Sequence, residues 1–171
     1  KHPGDLTYEL VNQYVDGIVT VTDDETAAAV LALIERQKLI AEGAGAVAVA
    51  AAMYNKVDIK GKKTVCLLSG GNIDVNILSR VIARGLMMAG RSSTLTIALE
   101  DKPGQLQGVS EVISRCGGNV VSVHYSQADT NMRITSCYLH IGMETRAHDQ
   151  VEQIKQELAK GGFNIVKTVN G

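Results

Sequence analysis

Between residues 94 and 169 the chain runs through six hydrophobic periods whose order leaves few folds open. Leu95, Ile97 and Leu99 are apolar at every second position, the period of a strand with one buried face. Asp101-Lys102-Pro103-Gly104 interrupts the run as a turn. Leu106, Val109, Ile113 and Cys116 then recur at helical spacing, and Gly117-Gly118 ends that helix. Residues 119–125 and 134–143 read as two further strands, joined by the polar Asp129-Thr130-Asn131. A second helix carries Val151, Ile154 and Leu158, stops at Gly161-Gly162, and gives way to a last strand over residues 165–169. The order β-α-β-β-α-β predicts a ferredoxin-like sandwich, with two helices on an antiparallel sheet.

Residues 1 to about 91 have a different texture, rich in Ala, Gly and other small residues. Thr22-Asp23-Asp24-Glu25 is a capping box, in which the Thr22 hydroxyl accepts a free amide of the first turn and Glu25 reaches back. It opens a helix with Ala29, Val30, Leu33 and Ile34 on one face. Ile18-Val19-Thr20-Val21 before it reads as a buried strand. So does Thr64-Val65-Cys66-Leu67-Leu68, which follows a Lys60-Gly61 turn. A second helix over residues 45–54 is nearly all Ala and Val, which suits close packing on a sheet. A third, over residues 74–89, puts Ile77, Leu78, Val81, Ile82 and Leu86 on its buried side and leaves Arg80 and Arg84 to solvent. Gly90-Arg91-Ser92-Ser93 reads as a short linker. The expected fold class is α/β, with a boundary between residues 91 and 92.

Where the Thr64 strand ends, Ser69-Gly70-Gly71-Asn72 leads into the third helix. The glycines let the backbone turn sharply and let a ligand approach closely, and the Ser offers a neutral hydroxyl that donates or accepts. On the residues alone this is either a binding corner or a strand-end turn. Composition narrows the ligand. The net charge is -1 and no basic run is longer than Lys62-Lys63, which argues against nucleic acid or an anionic membrane. The most apolar stretch, within residues 45–53, is too short and too rich in Ala for a membrane span. With 45% apolar and 20% charged residues, a packed core is expected rather than disorder. The opening Lys1-His2-Pro3-Gly4-Asp5 has no signal-peptide character and no initiating Met, so a piece of a longer protein is expected. Cys66, Cys116 and Cys137 each lie in an apolar run and read as reduced core residues of a cytoplasmic protein.

Taken together, Glu42-Gly43-Ala44-Gly45-Ala46, Lys60-Gly61-Lys62-Lys63 and Ser69-Gly70-Gly71-Asn72-Ile73-Asp74 resemble the end of the catalytic domain of threonine dehydratases. These are pyridoxal-phosphate enzymes of fold type II, as is serine racemase. The unit that follows, with its Asp101-Lys102-Pro103-Gly104 turn, resembles an ACT domain, the amino-acid-sensing module of metabolic enzymes. In this order the two are similar to the C-terminal half of a single-ACT threonine ammonia-lyase. Residues 1–91 would then be the C-terminal portion of the catalytic domain, and residues 92–171 the ACT regulatory domain. The resemblance implies deamination of L-threonine, and of L-serine, with 2-oxobutanoate and ammonia as the products from threonine.

It also assigns roles. Ser69 would hydrogen-bond the pyridine nitrogen of pyridoxal 5'-phosphate, Gly70 and Gly71 would shape the corner, Asn72 would brace it, and Glu42 would lie near the same edge. A neutral hydroxyl does not force protonation of the ring nitrogen as a carboxylate would, so it tunes how strongly the ring draws electrons. In the ACT unit the resemblance implies an effector, isoleucine or valine, at Asp101, Pro103, Gly104 and Gln105, where exposed helix amides can take a carboxylate. It also implies a homo-oligomer assembled through ACT domains, and a unit that only dimerises is the alternative. The family's Schiff-base lysine, in a Ser-x-Lys-x-Arg-Gly setting, has no counterpart here, and neither has its glycine-rich phosphate loop. No catalytic residue is therefore expected within the chain, which is expected to be inactive alone.

Two other functions compete. Gly43-Ala44-Gly45-Ala46-Val47-Ala48 matches the G-x-G-x-x-A pattern of a dinucleotide-binding module, but only the short Leu39-Ile40-Ala41 precedes it. An ACT unit that senses an amino acid for some other metabolic enzyme is the second. His2, His124, His140 and His148 have no partner at ligand spacing, so no metal is expected, and no G-x-S-x-G elbow occurs. If His124 and His140 sit on neighbouring strands, they read as ordinary surface histidines.

Overall fold

The computed structural model describes residues 4–127 and 135–169. Its first part is helical. Helix α1 (Asp5–Tyr14), which sequence patterning did not single out, buries none of its residues. Helix α2 (Asp23–Ala32) starts at the expected capping box: Thr22 Oγ1 accepts from the Glu25 amide at 3.2 Å and Glu25 Oε2 from the Thr22 amide at 2.8 Å. It continues as a π-helical turn over Leu33–Gln37 and stops at Lys38, whose φ of 59° no helix can extend. Helix α3 (Gly43–Met53) and helix α4 (Val75–Met88) pack against α2. Ala29, Val30, Leu33, Ala41, Ala46 and Ala50 form their common core, with Leu78 and Val81 of α4 laid on it.

The α2–α4 contact corrects one expectation. Ile77 is 46% exposed, and the residue of α4 that is buried is Gly85. A Cβ at Gly85 would stand 2.9 Å from Leu31 Cβ and 3.0 Å from the Ala27 carbonyl, so the two helices touch backbone to side chain at this point. Arg84 is exposed as expected, and its guanidinium pairs at the surface with Asp24 at the start of α2, holding that carboxyl below its usual range.

A second correction concerns strands. Residues 18–21 and 64–68 are not strands here: both lack ladder partners among the described residues. Ile18 is 78% and Val65 94% exposed. Their composition fits a pleated ladder, but a strand exists only where a neighbour takes its amides and carbonyls.

From Ser92 onward the expected architecture is present. Strand β1 (Ser92–Glu100), helix α5 (Gln105–Arg115), β2 (Asn119–Ser126), β3 (Ser136–Glu144), helix α6 (His148–Lys160) and β4 (Asn164–Val169) follow in that order. The sheet runs β2-β3-β1-β4, antiparallel throughout, with β1 central. Ser92 and Ser93, expected in the linker, already belong to β1. Leu95, Ile97, Leu139, Ile141, Met143, Ile113, Val151, Ile154 and Leu158 are fully buried between sheet and helices. The loop expected at Asp129-Thr130-Asn131 and the strand start at Ile134 lie outside the described residues. The two parts meet at Gly90, whose carbonyl accepts from Thr145 Oγ1 at 2.5 Å, and at Arg91, whose guanidinium pairs with Glu35.

Glu25 ties the start of α2 to the chain beyond α3 through Lys56, at 2.8 Å. This lysine first, and the Thr22 amide second, hold the Glu25 carboxyl below its ordinary value. A depressed carboxylate contributes stability above its unfolded pKa of about 4.3 and loses it as pH falls through the lower folded value. Glu25→Gln is therefore expected to flatten the loss of helicity between about pH 5 and pH 3, followed by circular dichroism, and to leave the signal near pH 7 almost unchanged.

Candidate functional site

The extended stretch after residue 63 runs beside α3. Cys66 Sγ donates to the Ala48 carbonyl at 3.7 Å, and Thr64, Val65 and Cys66 form a shallow cleft of about 200 Å³ with Ala48, Ala51 and Ala52. At its end the backbone bends at Gly70, where φ is 90°, and crosses the N-terminus of α3. The Glu42 amide donates to the Gly70 carbonyl at 3.2 Å. A helix N-terminus has amides to spare, so it is a natural seat for the carbonyls of a crossing loop.

Two glycines make this crossing possible. A Cβ on Gly45, the third residue of α3, would stand 2.5 Å from the Ser69 carbonyl oxygen and 2.9 Å from that of Gly70. A Cβ on Gly70 would stand 2.5 Å from Glu42 Oε1, at a backbone angle that L side chains rarely adopt. The structure thus brings Glu42 and Ser69-Gly70-Gly71 together, although 27 positions separate Glu42 from Ser69. Glu42 is half-buried, while Ser69, Gly70, Gly71 and Asn72 face solvent. Asp74, just beyond, caps α4 by accepting from the Asn76 and Ile77 amides at 2.8 and 3.3 Å. The corner can present one neutral hydroxyl on a flat, glycine-lined backbone, which fits one edge of a planar heteroaromatic ring. Sequence reasoning found Gly43 and Gly45 through their G-x-G spacing, but no strand leads into them, as a dinucleotide site requires.

The second group of expected residues sits in the other unit, at the β1–α5 turn. Asp101 donates its amide to the Thr135 carbonyl at 2.8 Å, and its Oδ2 accepts from Gln127 Nε2 at 2.8 Å. Pro103 and Gly104 are exposed, and Gly104 opens α5 with φ at 90° and open space where a side chain would project. Gln105 lines a cavity of about 350 Å³ with Glu100, Lys102, Gly161, Gly162 and Phe163. Gln127 and Phe163 escaped sequence reasoning. Only the pairing of β1 with its neighbours and the return of the chain from α6 bring them to this turn.

Residues 1–70 match the family described as pyridoxal-phosphate dependent enzymes. Over 165 residues the chain is 42% identical to the L-threonine ammonia-lyase of Thermotoga maritima, an alignment that takes in 96% of this chain and 41% of that protein. Over nearly its whole length the chain is similar to part of an L-threonine ammonia-lyase. The L-threonine ammonia-lyase of Geobacter sulfurreducens is 37% identical over the same shares of the two chains. The chain thus spans about two fifths of the length of these relatives. The solved ACT domain of the Chlorobium tepidum GTP pyrophosphokinase covers 47% of this chain and 97% of its own length, at 16% identity and a TM-score of 0.36. The fold class is α/β: a helical part, similar over residues 1–70 to pyridoxal-phosphate dependent enzymes, followed by a ferredoxin-like β-α-β-β-α-β unit.

The crossing at Gly45 has a direct check. Gly45→Ala is expected to push Ser69 and Gly70 off α3, to lower stability by about 1–3 kcal/mol, and to speed amide exchange at Glu42. Gly43→Ala, whose Cβ would meet Thr26 at an ordinary 3.8 Å, is expected to change stability little. Denaturant unfolding with hydrogen exchange read at residue 42 separates the two.

Proposed function

We propose that this chain is the C-terminal part of a threonine ammonia-lyase that deaminates L-threonine, and L-serine, with residues 1–91 completing a pyridoxal 5'-phosphate site and residues 92–171 forming its ACT regulatory domain. The observation that carries the proposal is the convergence of Glu42-Gly43-Ala44-Gly45 and Ser69-Gly70-Gly71-Asn72 at one glycine-lined corner. The identity to two threonine ammonia-lyases over 96% of the chain supports it.

When bound, the cofactor supplies the electron sink for loss of the threonine α-proton and β-hydroxyl. Ser69 holds and orients the ring at its nitrogen through a hydroxyl that carries no charge. Gly70 and Gly71 keep side chains out of the ring's way, Asn72 steadies the bend, and Glu42 supports the corner from below. The chain supplies one wall of the site, and the lysine and phosphate loop belong to the remainder of the longer enzyme. A further sheet in that remainder accounts for residues 18–21 and 64–68, whose apolar side chains would be covered by neighbouring strands. The free thiols of Cys66, Cys116 and Cys137 suit a cytoplasmic setting.

The purified chain, supplied with pyridoxal 5'-phosphate and threonine, is expected to yield no 2-oxobutanoate. In the full-length enzyme Ser69→Ala is expected to lower kcat by about tenfold to a hundredfold, the cost of one lost hydrogen bond to a reacting group. Appreciable turnover by the chain alone, or a Ser69→Ala enzyme of full activity, contradicts the assignment.

The ACT unit is the effector site in this proposal, and its homo-oligomer is the state in which it works. Isoleucine or valine would place its carboxylate against the α5 N-terminus beside Asp101, Pro103, Gly104 and Gln105. Such an effector must bind two states of the enzyme with different affinity. Calorimetry on this chain is expected to show heat with isoleucine or valine that Gly104→Val removes. No heat with either leaves the unit with assembly alone.

A further inference from the structure

The face of the four-stranded sheet that carries no helix holds a cluster that the assignment above does not use. Side chains alternate across β3, so that Cys137, Leu139, Ile141 and Met143 enter the core while Tyr138 and His140 point the other way. His140 is the direct register partner of His124 on β2, and their ring centres lie 5.9 Å apart with planes 27° from parallel. On the other side His140 is the register partner of Thr96, whose hydroxyl lies 3.0 Å from His140 Nδ1. Thr96 is only 7% exposed, His140 is half-buried and His124 is exposed. The Tyr138 ring stands beside His140 at 6.5 Å.

We propose that His124 and His140 form a binding site for a divalent transition-metal ion of the zinc or nickel class. Imidazole nitrogen is a preferred ligand for these ions. Two imidazoles on one tetrahedral ion, each bonded at about 2.0–2.1 Å, have ring centres about 5 Å apart, so from the stacked arrangement at 5.9 Å the two rings need to tilt toward a shared ion and close slightly. A ligating imidazole carries its proton on the other nitrogen and donates it to an oxygen that fixes tautomer and ring orientation. Thr96 supplies that oxygen: Nδ1–H of His140 donates to Thr96 Oγ1, and Nε2 is left to the ion. The ladder fixes the two backbones as neighbours before the ion arrives, so binding has only the two side chains to order. Among the described residues no cluster of three or more metal-ligating side chains exists, so water completes the coordination. The cation Lys167 is the β4 partner of Thr96, two strands from His140 and therefore about 9–10 Å away by strand spacing. The two histidines are 16 positions apart in the chain, a spacing that no metal motif of a single helix or loop uses, and only the hairpin register makes them neighbours.

Titration of the chain with zinc chloride and, separately, nickel chloride, followed by calorimetry, tests this. One ion per chain is expected, with a rise in Tm because the ion bridges β2 and β3 only when the ladder is formed. H124N and H140N are each expected to weaken binding at least tenfold, and T96V several-fold although it keeps both imidazoles. H148N, whose imidazole lies 2.9 Å from the Met88 carbonyl, is expected to bind as the unaltered chain does. His124 is exposed, so H124N is expected to keep the circular dichroism of the folded chain, which separates lost ligation from lost folding. No saturable binding, or binding by H124N equal to that of the unaltered chain, overturns the proposal.

Discussion

A backbone amide or carbonyl removed from water has to find a partner, and the division of this chain into two unlike parts follows from that requirement. In the part from Ser92 onward every strand has a neighbour, with β1 flanked by β3 and β4, and β2 completing the sheet. Leu95, Ile97, Leu139 and Ile141 are then buried against α5 and α6, and the unit closes on itself. In the part before it, helices α2, α3 and α4 satisfy their own amides along their length and keep their shape. The two stretches of strand composition, residues 18–21 and 64–68, have no such neighbour among the described residues, and most of their apolar side chains lie in solvent. Under the proposed function, strands from the rest of a longer enzyme meet that requirement.

The candidate cofactor corner depends on the same kind of close backbone contact. Its Gly70 carbonyl is taken by the Glu42 amide, and its path over α3 exists because Gly45 has no side chain to block it. Helix α3 in turn is held on α2 by alanines small enough to let the helices approach, and α4 closes on α2 at Gly85. A chain of small-residue contacts therefore runs from the helical core to Ser69. In the second unit the register of the sheet has a comparable role. It brings Gln127 to Asp101 at one end and sets His124 against His140 on the open face.

Much of this was legible along the chain. The capping box at Thr22, the alternation of Leu95, Ile97 and Leu99, and the glycine stops at 117–118 and 161–162 are local signals that the physics of a single element dictates. Less legible was anything that depends on two elements at once. The burial of Gly85 and the pairing of Arg84 with Asp24 need the α2–α4 crossing, which no periodicity encodes. The strands at residues 18–21 and 64–68 were read from composition, which registers a preference for a pleated surface and not the presence of a neighbour.

The chain's own sequence therefore determined the order of its elements, their approximate ends, the β-α-β-β-α-β topology and the residue types at the corner around Ser69. Those depend on interactions over three or four residues, or on a period of two. Tertiary structure alone decided that Glu42 lies against Gly70, that Gln127 reaches Asp101, and that two histidines 16 positions apart share one face. Such contacts form when elements dock in a particular register, and the fit of backbone against backbone sets that register.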